Sequence, residues 1–240
     1  MNCNDALKMK SNRKTALFFG LLIIFSFICG IFSSVPALEK ADYIEKLTAI
    51  ELHVLIAVFF QALMATVYTG IAVLLYPIIK EYNPILASGY LGFRIIGSGF
   101  LFAGIGTLLL LLWLSQSYIG AIQPDQLHFY ITGELLRRGR DVLNHICMIL
   151  PWSIGGMILY FCLYKLRLVS RWLSIWGIIG SAFTLIATVL LMLNLITLTN
   201  SIYFILNAPI VFCELVLAIV LIVRGFNSVK NVENRRVGKI

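Results

Sequence analysis

Six long runs of apolar residues, separated by short polar segments, divide the chain. They cover about residues 15–35, 52–79, 85–114, 142–164, 172–196 and 202–223. A membrane-spanning α-helix needs about 20 mostly apolar residues, and each run is that long. Helices also satisfy their own backbone hydrogen bonds in lipid. The pattern therefore predicts an all-α, polytopic membrane bundle of about six transmembrane helices, organised as one integral-membrane domain over residues 1–240.

Composition and charge narrow the class of protein further. Hydrophobic residues make up 60% of the chain and charged residues 12%, and the mean hydropathy is +0.93. A soluble globule of this size needs more polar cover than that. The net charge of +8 would suggest nucleic acid in a soluble protein, but the basic residues stand at the ends of apolar runs. Membrane lipids are therefore the expected partners, and nucleic acid is not.

The first apolar run has a second interpretation as a cleaved signal peptide. Val35-Pro36-Ala37 is a passable cleavage site after it. The run is long for a signal sequence, however, and five further apolar runs follow. We expect it to stay in the protein as the first span, and the sequence leaves cleavage open.

The distribution of lysine and arginine predicts the orientation. With the N-terminus inside, thirteen of the 19 basic residues fall on the inner side and five on the outer side, while Arg94 lies within a span. The positive-inside rule then favours both termini inside. The outer arginines Arg137, Arg138 and Arg140 oppose it mildly. They fit a helix lying on the membrane, whose apolar face has four members: Leu127, Ile131, Leu135 and Leu136.

Ionisable residues inside a span are expensive in lipid and are candidates for function. Arg94 in the third run and Glu214 in the sixth both lie about ten residues from the predicted inner end, roughly 15 Å deep. Equal depth allows a direct ion pair. Such a pair would either hold the helices together or take part in binding a substrate, an ion or a proton. Tyr68 reaches a similar depth and could donate a hydrogen bond to Glu214. Gln61 lies in the outer half and needs a hydrogen-bond partner.

A second group of polar residues lies at the predicted outer face. Glu51 and His53 begin the second run, and Asp141, Asn144 and His145 begin the fourth. Two histidines and two carboxylates could bind a divalent metal if these helices were adjacent. Polar residues are ordinary at helix ends, so we predict neither a metal nor a cofactor here.

Small residues recur every four positions in several runs, which lets helix backbones approach closely. Such rows favour a compact bundle and leave a homo-oligomer open. They are Ala62, Thr66 and Gly70; Ser88 and Gly92; Gly99 and Ala103; and Gly177 and Ser181.

Several stretches together resemble a bacterial family of membrane proteins, the domain of unknown function 4386 (DUF4386). The stretches are 12–16 (NRKTA), Tyr76-Pro77, 89–94 (GYLGFR), 163–177 (LYKLRLVSRWLSIWG) and 214–219 (ELVLAI). The resemblance covers nearly the whole chain and implies six spans in a bacterial plasma membrane. It also implies that Arg94, Glu214 and the turn at 167–172 belong to the family pattern. Where that pattern carries an acid one turn after the arginine, this chain has Gly97-Ser98, which places more weight on Glu214.

The family has no assigned activity, so three classes of function stay open. The sequence contains no P-loop, HExxH or GxSxG motif, which favours a non-enzymatic protein. It would be a small transporter or channel component, or a membrane-embedded sensor or regulator, with an unidentified ligand. The alternatives are a membrane enzyme that acts on a lipid or quinone at the bilayer interface, and a structural or interaction protein.

Overall fold

The structure is a computed structural model that describes residues 3–120 and 125–227, with side chains from Arg13 to Gly120 and from Gln126 to Asn227. Within these stretches the regular elements are helices. A 3₁₀ turn lies at Pro36–Glu39 and a π-helix at Leu143–Cys147. The α-helices are α1 (Cys3–Phe32), α2 (Tyr43–Ala49), α3 (Glu51–Tyr82), α4 (Pro84–Ile119), α5 (Asp125–Val142), α6 (Ile149–Leu166), α7 (Arg171–Met192) and α8 (Ser201–Val223).

Six helical segments of the described residues are long and apolar enough to cross a membrane, as the sequence predicts. The fourth differs from its predicted bounds. Helix α5, the π-helix and α6 form one helical stretch, Gln126–Leu166, of 41 residues. The apolar run at 142–164 is the C-terminal part of it. The orientation with both termini inside stays a prediction, and we use it to name the two ends of the bundle.

Local signals explain where several helices begin and end. The side chain of Asn83 accepts hydrogen bonds from the backbone N–H groups of Ile85 and Leu86, and Pro84 stands at the first helical position, so α4 begins there. Asn200 caps α8 in the same way. At the C-terminus of α6, Arg167 adopts a left-handed conformation with φ of 54°. These short turns set neighbouring helices antiparallel.

The six long helices pack as a closed ring. Each contacts two neighbours, in the order α1, α3, α4, α6, α7, α8 and back to α1, while α3 and α6 touch only slightly across the middle. A ring of six helices surrounds a central space that side chains must fill or leave open.

Two groups of buried side chains fill different ends of the ring. The larger group lies toward the predicted inner end and includes Phe19, Tyr90, Tyr160 and Leu217. The second joins α2 to the extended ends of α3 and α4 at the predicted outer end. The central space is therefore closed toward the predicted inner end.

Helix α5 has the amphipathic face that the sequence predicts, with one difference. Leu127, Ile131 and Leu135 are exposed along it, whereas Leu136 packs against the outer group of buried residues. Glu134 forms hydrogen bonds of 2.7–2.8 Å with Arg137 and Arg138. These two arginines are therefore paired within α5.

Only part of the small-residue pattern mediates packing within this chain. A Cβ atom added at Gly180 would lie 2.9 Å from the backbone nitrogen of Ile210, and one at Gly177 would overlap the ring of Tyr160. The same addition at Gly70, Gly92 or Gly99 meets nothing within 4 Å. Helix α7 thus needs its glycines to approach α6 and α8, while the rows on α3 and α4 face away from the bundle.

We expect Gly180→Ala to destabilise the protein by about 1–3 kcal/mol, because the methyl group meets backbone and α7 must move away from α8. The matched control, Gly99→Ala, should be neutral or slightly stabilising, since alanine is the better helix former. Unfolding in mixed micelles of SDS and a mild detergent measures both. Equal stability of the two variants would contradict the close approach of α7 and α8.

Candidate functional site

A cavity of about 350 Å³ occupies the central space of the ring. Residues of α1, α3, α6, α7 and α8 line it. Its polar wall residues are Ser26, Tyr68, Thr184, Asn207 and Glu214, and the remaining wall is mostly apolar. The cavity lies on the outer side of the larger buried group, so Glu214 stands near its floor.

Glu214 is the one charged side chain among the lining residues that the structure describes. Its helix, α8, points Cys213 and Leu217 into the packed core on either side of it. No hydrogen bond or ion pair to its carboxylate is present in the described part of the chain. A carboxylate in this setting lacks most of the stabilisation that water would provide, which makes it a strong candidate for ligand contact.

Arg94 is buried, with 4% of its surface exposed, and three aromatic rings surround its guanidinium. The carbon Cζ lies 4.6 Å from the ring centre of Trp152, 5.4 Å from that of Tyr90 and 6.0 Å from that of Tyr68. Aromatic faces carry negative charge density that attracts a cation. Arg94 and Glu214 do not come within the 4 Å of a direct ion pair, so the pair that their equal depth allows is not formed.

Tyr68 lies between the two charges. It lines the cavity, its ring centre is 6.1 Å from that of Trp152, and Arg94 Cζ lies 6.0 Å from the same ring centre. The hydrogen bond that Tyr68 could donate to Glu214 is not present. Tyr68 and Trp152 instead form a wall that separates Arg94 from the cavity.

Sequence reasoning did not select Trp152. Its signal is its position: it lies ten residues into the predicted fourth span, whereas tryptophans of membrane proteins are enriched at the two interfaces. A tryptophan far from an interface, in a chain with one arginine at a similar depth, indicates a cation–aromatic contact.

The comparisons with known proteins add the family. The sequence model described as "Domain of unknown function (DUF4386)" matches residues 18–225, which is most of the chain. The chain belongs to this family. No curated protein and no solved structure matches it.

Two features of the DUF4386 resemblance have a structural role in this chain. The left-handed turn at Arg167 is held by Asn227, whose side chain donates to the Arg167 carbonyl and whose backbone N–H donates to that of Leu168. In α4, Ser98 donates a hydrogen bond to the Ala65 carbonyl and accepts one from Thr69. Ser98 therefore joins α4 to α3.

The amide N–H groups of Gln61 have the partners that their depth requires, its buried Oε1 has none among the described residues, and the side chain lies outside the cavity wall. Its amide donates to the side chain of Asn144 at 3.2 Å and to the Leu101 carbonyl at 3.4 Å. Gly104 makes room, since a Cβ there would lie 2.0 Å from Asn144 Oδ1. Gln61 and Asn144 thus join α3 to the π-helix, and we assign them to packing rather than to a ligand.

The polar residues predicted at the outer face, Glu51, His53, Asp141, Asn144 and His145, do not form one cluster. His53 Nε2 lies 3.1 Å from the Ser34 carbonyl oxygen, and His145 Nδ1 lies 3.4 Å from the Tyr203 hydroxyl. Asp141 pairs with its neighbour Arg140 at 3.6 Å, and Glu51 is exposed. Across the described stretches no three His, Cys, Asp or Glu side chains form a group that could hold a metal ion. The structure therefore does not gather these residues into one site.

A double-mutant cycle tests the aromatic contact of Arg94. We expect Arg94→Met and Trp152→Leu to show a coupling energy of about 2 kcal/mol in the free energy of unfolding, because the contact is desolvated. The control cycle, Lys80→Met with Tyr76→Leu, probes an exposed contact of 5.7 Å and should give about 0.5 kcal/mol. A coupling for Arg94 no larger than the control would show that the rings merely surround it.

Proposed function

We propose that this DUF4386 protein is a small transporter that binds its ligand in the cavity of the helix ring. The observation that carries the proposal is the Glu214 carboxylate, which faces a cavity of about 350 Å³ and has no hydrogen-bond partner in the described residues. Ligand pockets of proteins begin at about this volume and combine apolar walls with a few polar groups. In this proposal the protein works in the plasma membrane of a bacterium, which the family resemblance implies.

The closed end of the cavity favours a transporter over an open channel. Phe19, Ile23 and Leu217 belong to the larger buried group, which fills the ring beyond Glu214. Ile31 lines the cavity at the other end and is 73% exposed. A cavity that is packed shut beyond Glu214 and reaches the surface of the ring at α1 is not a continuous pore, which favours alternating access.

The enzyme hypothesis is weaker, because it depends on the outer-face residues. Glu51 and His53 lie at the start of α3, and His145 packs on Tyr203. A sensor or regulator would use the same cavity without moving its ligand across the membrane, so transport itself must be measured.

We expect purified wild-type protein in liposomes to accumulate at least one member of a panel of small amphiphilic cations, anions and neutral molecules, measured by mass spectrometry of washed vesicles. Glu214→Gln should abolish this uptake, because it removes the charge and keeps the shape. The control Glu51→Gln changes an exposed glutamate outside the cavity and should transport as the wild type does.

Thermal unfolding in detergent accompanies the uptake measurement. Glu214→Gln should unfold within a few degrees of the wild type, since the carboxylate has no hydrogen bond to lose. Uptake no higher than in protein-free liposomes for every compound would contradict a transporter, and binding without uptake would favour a sensor.

A further inference from the structure

The cavity wall holds both donors and acceptors of hydrogen bonds and one charged group. Ser26 donates its hydroxyl hydrogen to the Ile23 carbonyl at 2.7 Å, and Asn207 donates an amide hydrogen to the Tyr203 carbonyl at 2.8 Å, so each side-chain oxygen can still accept. Two other lining residues keep donors without a partner, the indole N–H of Trp152 and the hydroxyl of Thr184. The Glu214 carboxylate, which only accepts when ionised, is therefore the group that favours a ligand that donates hydrogen bonds or carries positive charge.

The charges around the cavity also favour a cationic ligand. The positive charge nearest to Glu214, on Arg94, lies behind the rings of Trp152 and Tyr68 and is already engaged by them. An ion in low dielectric that loses water needs a partner of opposite charge at close range. Arg94 does not approach Glu214 within 4 Å, so a cation in the cavity would be the nearest partner of the carboxylate.

The rest of the wall describes the body of the ligand. Phe27, Met64, Ile149 and Ile210 give it an apolar lining, and Tyr68 adds an aromatic ring. Val211 lines the cavity and is 38% exposed on the outside of the bundle, as is Ile31 at 73%. An apolar molecule can therefore enter from the lipid between the outer halves of α1 and α8.

We propose that the cavity binds a monovalent organic cation with an apolar body, its ammonium group against Glu214 and its body among the apolar side chains. This names the ligand class of the site in the proposed function and rests on that site, but it does not require transport. It rests on the unpaired carboxylate, the apolar lining of the cavity and the arginine held among aromatic rings.

Equilibrium binding to the full chain in lipid nanodiscs tests the ligand class. Isothermal titration compares three probes of similar size at one pH: benzyltrimethylammonium, phenylacetate and neutral benzyl alcohol, each corrected for binding to empty nanodiscs. We expect saturable binding of benzyltrimethylammonium, at least tenfold tighter than that of the other two. Glu214→Gln should weaken it at least tenfold, while Glu51→Gln should leave it unchanged.

A second variant keeps the test decisive if Glu214→Gln does not fold. Gly30 lines the cavity, so Gly30→Leu should fill it and abolish binding with the carboxylate intact. Phenylacetate binding as tightly as the ammonium probe, no saturable ammonium binding, or ammonium binding unchanged by both cavity variants would overturn the proposal. Cation binding without uptake supports the ligand class and contradicts transport alone, whereas uptake of an anion supports transport and overturns the ligand class.

Discussion

The constraint on which this structure depends is that lipid offers no hydrogen bonds to a polypeptide backbone. The chain meets this constraint with six long helices, which pack side by side in a closed ring. Large side chains such as Phe19, Tyr90 and Tyr160 fill the ring toward the predicted inner end. The other half keeps a cavity, where α1 presents the small residues Ser26 and Gly30.

The same constraint governs the two intramembrane charges, and the chain treats them differently. Arg94 is enclosed by aromatic rings, which stabilise a cation without forming hydrogen bonds. Glu214 has no equivalent shell and faces the cavity. One charge is thus part of the packed structure, while the other is available to a ligand. Had the two formed a direct ion pair, neither would be available.

The fold could be predicted from sequence to a large extent because hydropathy reports directly on lipid contact. The number of spans is confirmed, and most of their bounds agree to within a few residues. The start of the fourth span differs because the π-helix at Leu143–Cys147 continues α5 into α6 without a break. The apolar run begins at Val142 because charged residues such as Arg140 and Asp141 precede it, and hydropathy marks the end of an apolar run rather than the end of a helix.

The sequence could predict individual residues of the candidate site but not which of them lie together. Depth along a helix selected Arg94, Glu214, Tyr68 and Gln61, but depth says nothing of the direction in which a side chain points. The structure separates them: Glu214 and Tyr68 line the cavity, Arg94 lies behind it, and Gln61 bonds to Asn144. Each of these partners comes from a distant part of the chain.

The glycines decide which helices can border the cavity. On α7, Gly177 and Gly180 bring the helix against Tyr160 and Ile210, so α6, α7 and α8 form one tightly packed side of the ring. On α1, Gly20 lies close to Ala218 and Ile222 of α8, which holds these two helices together toward the predicted inner end. Farther along the same pair, Gly30 has only the Met64 sulfur at 3.7 Å. Helix α1 thus lies close to α8 toward the predicted inner end, whereas its other end stacks on α3 through Phe32 and Phe60. The space that Glu214 faces lies beside this part of α1.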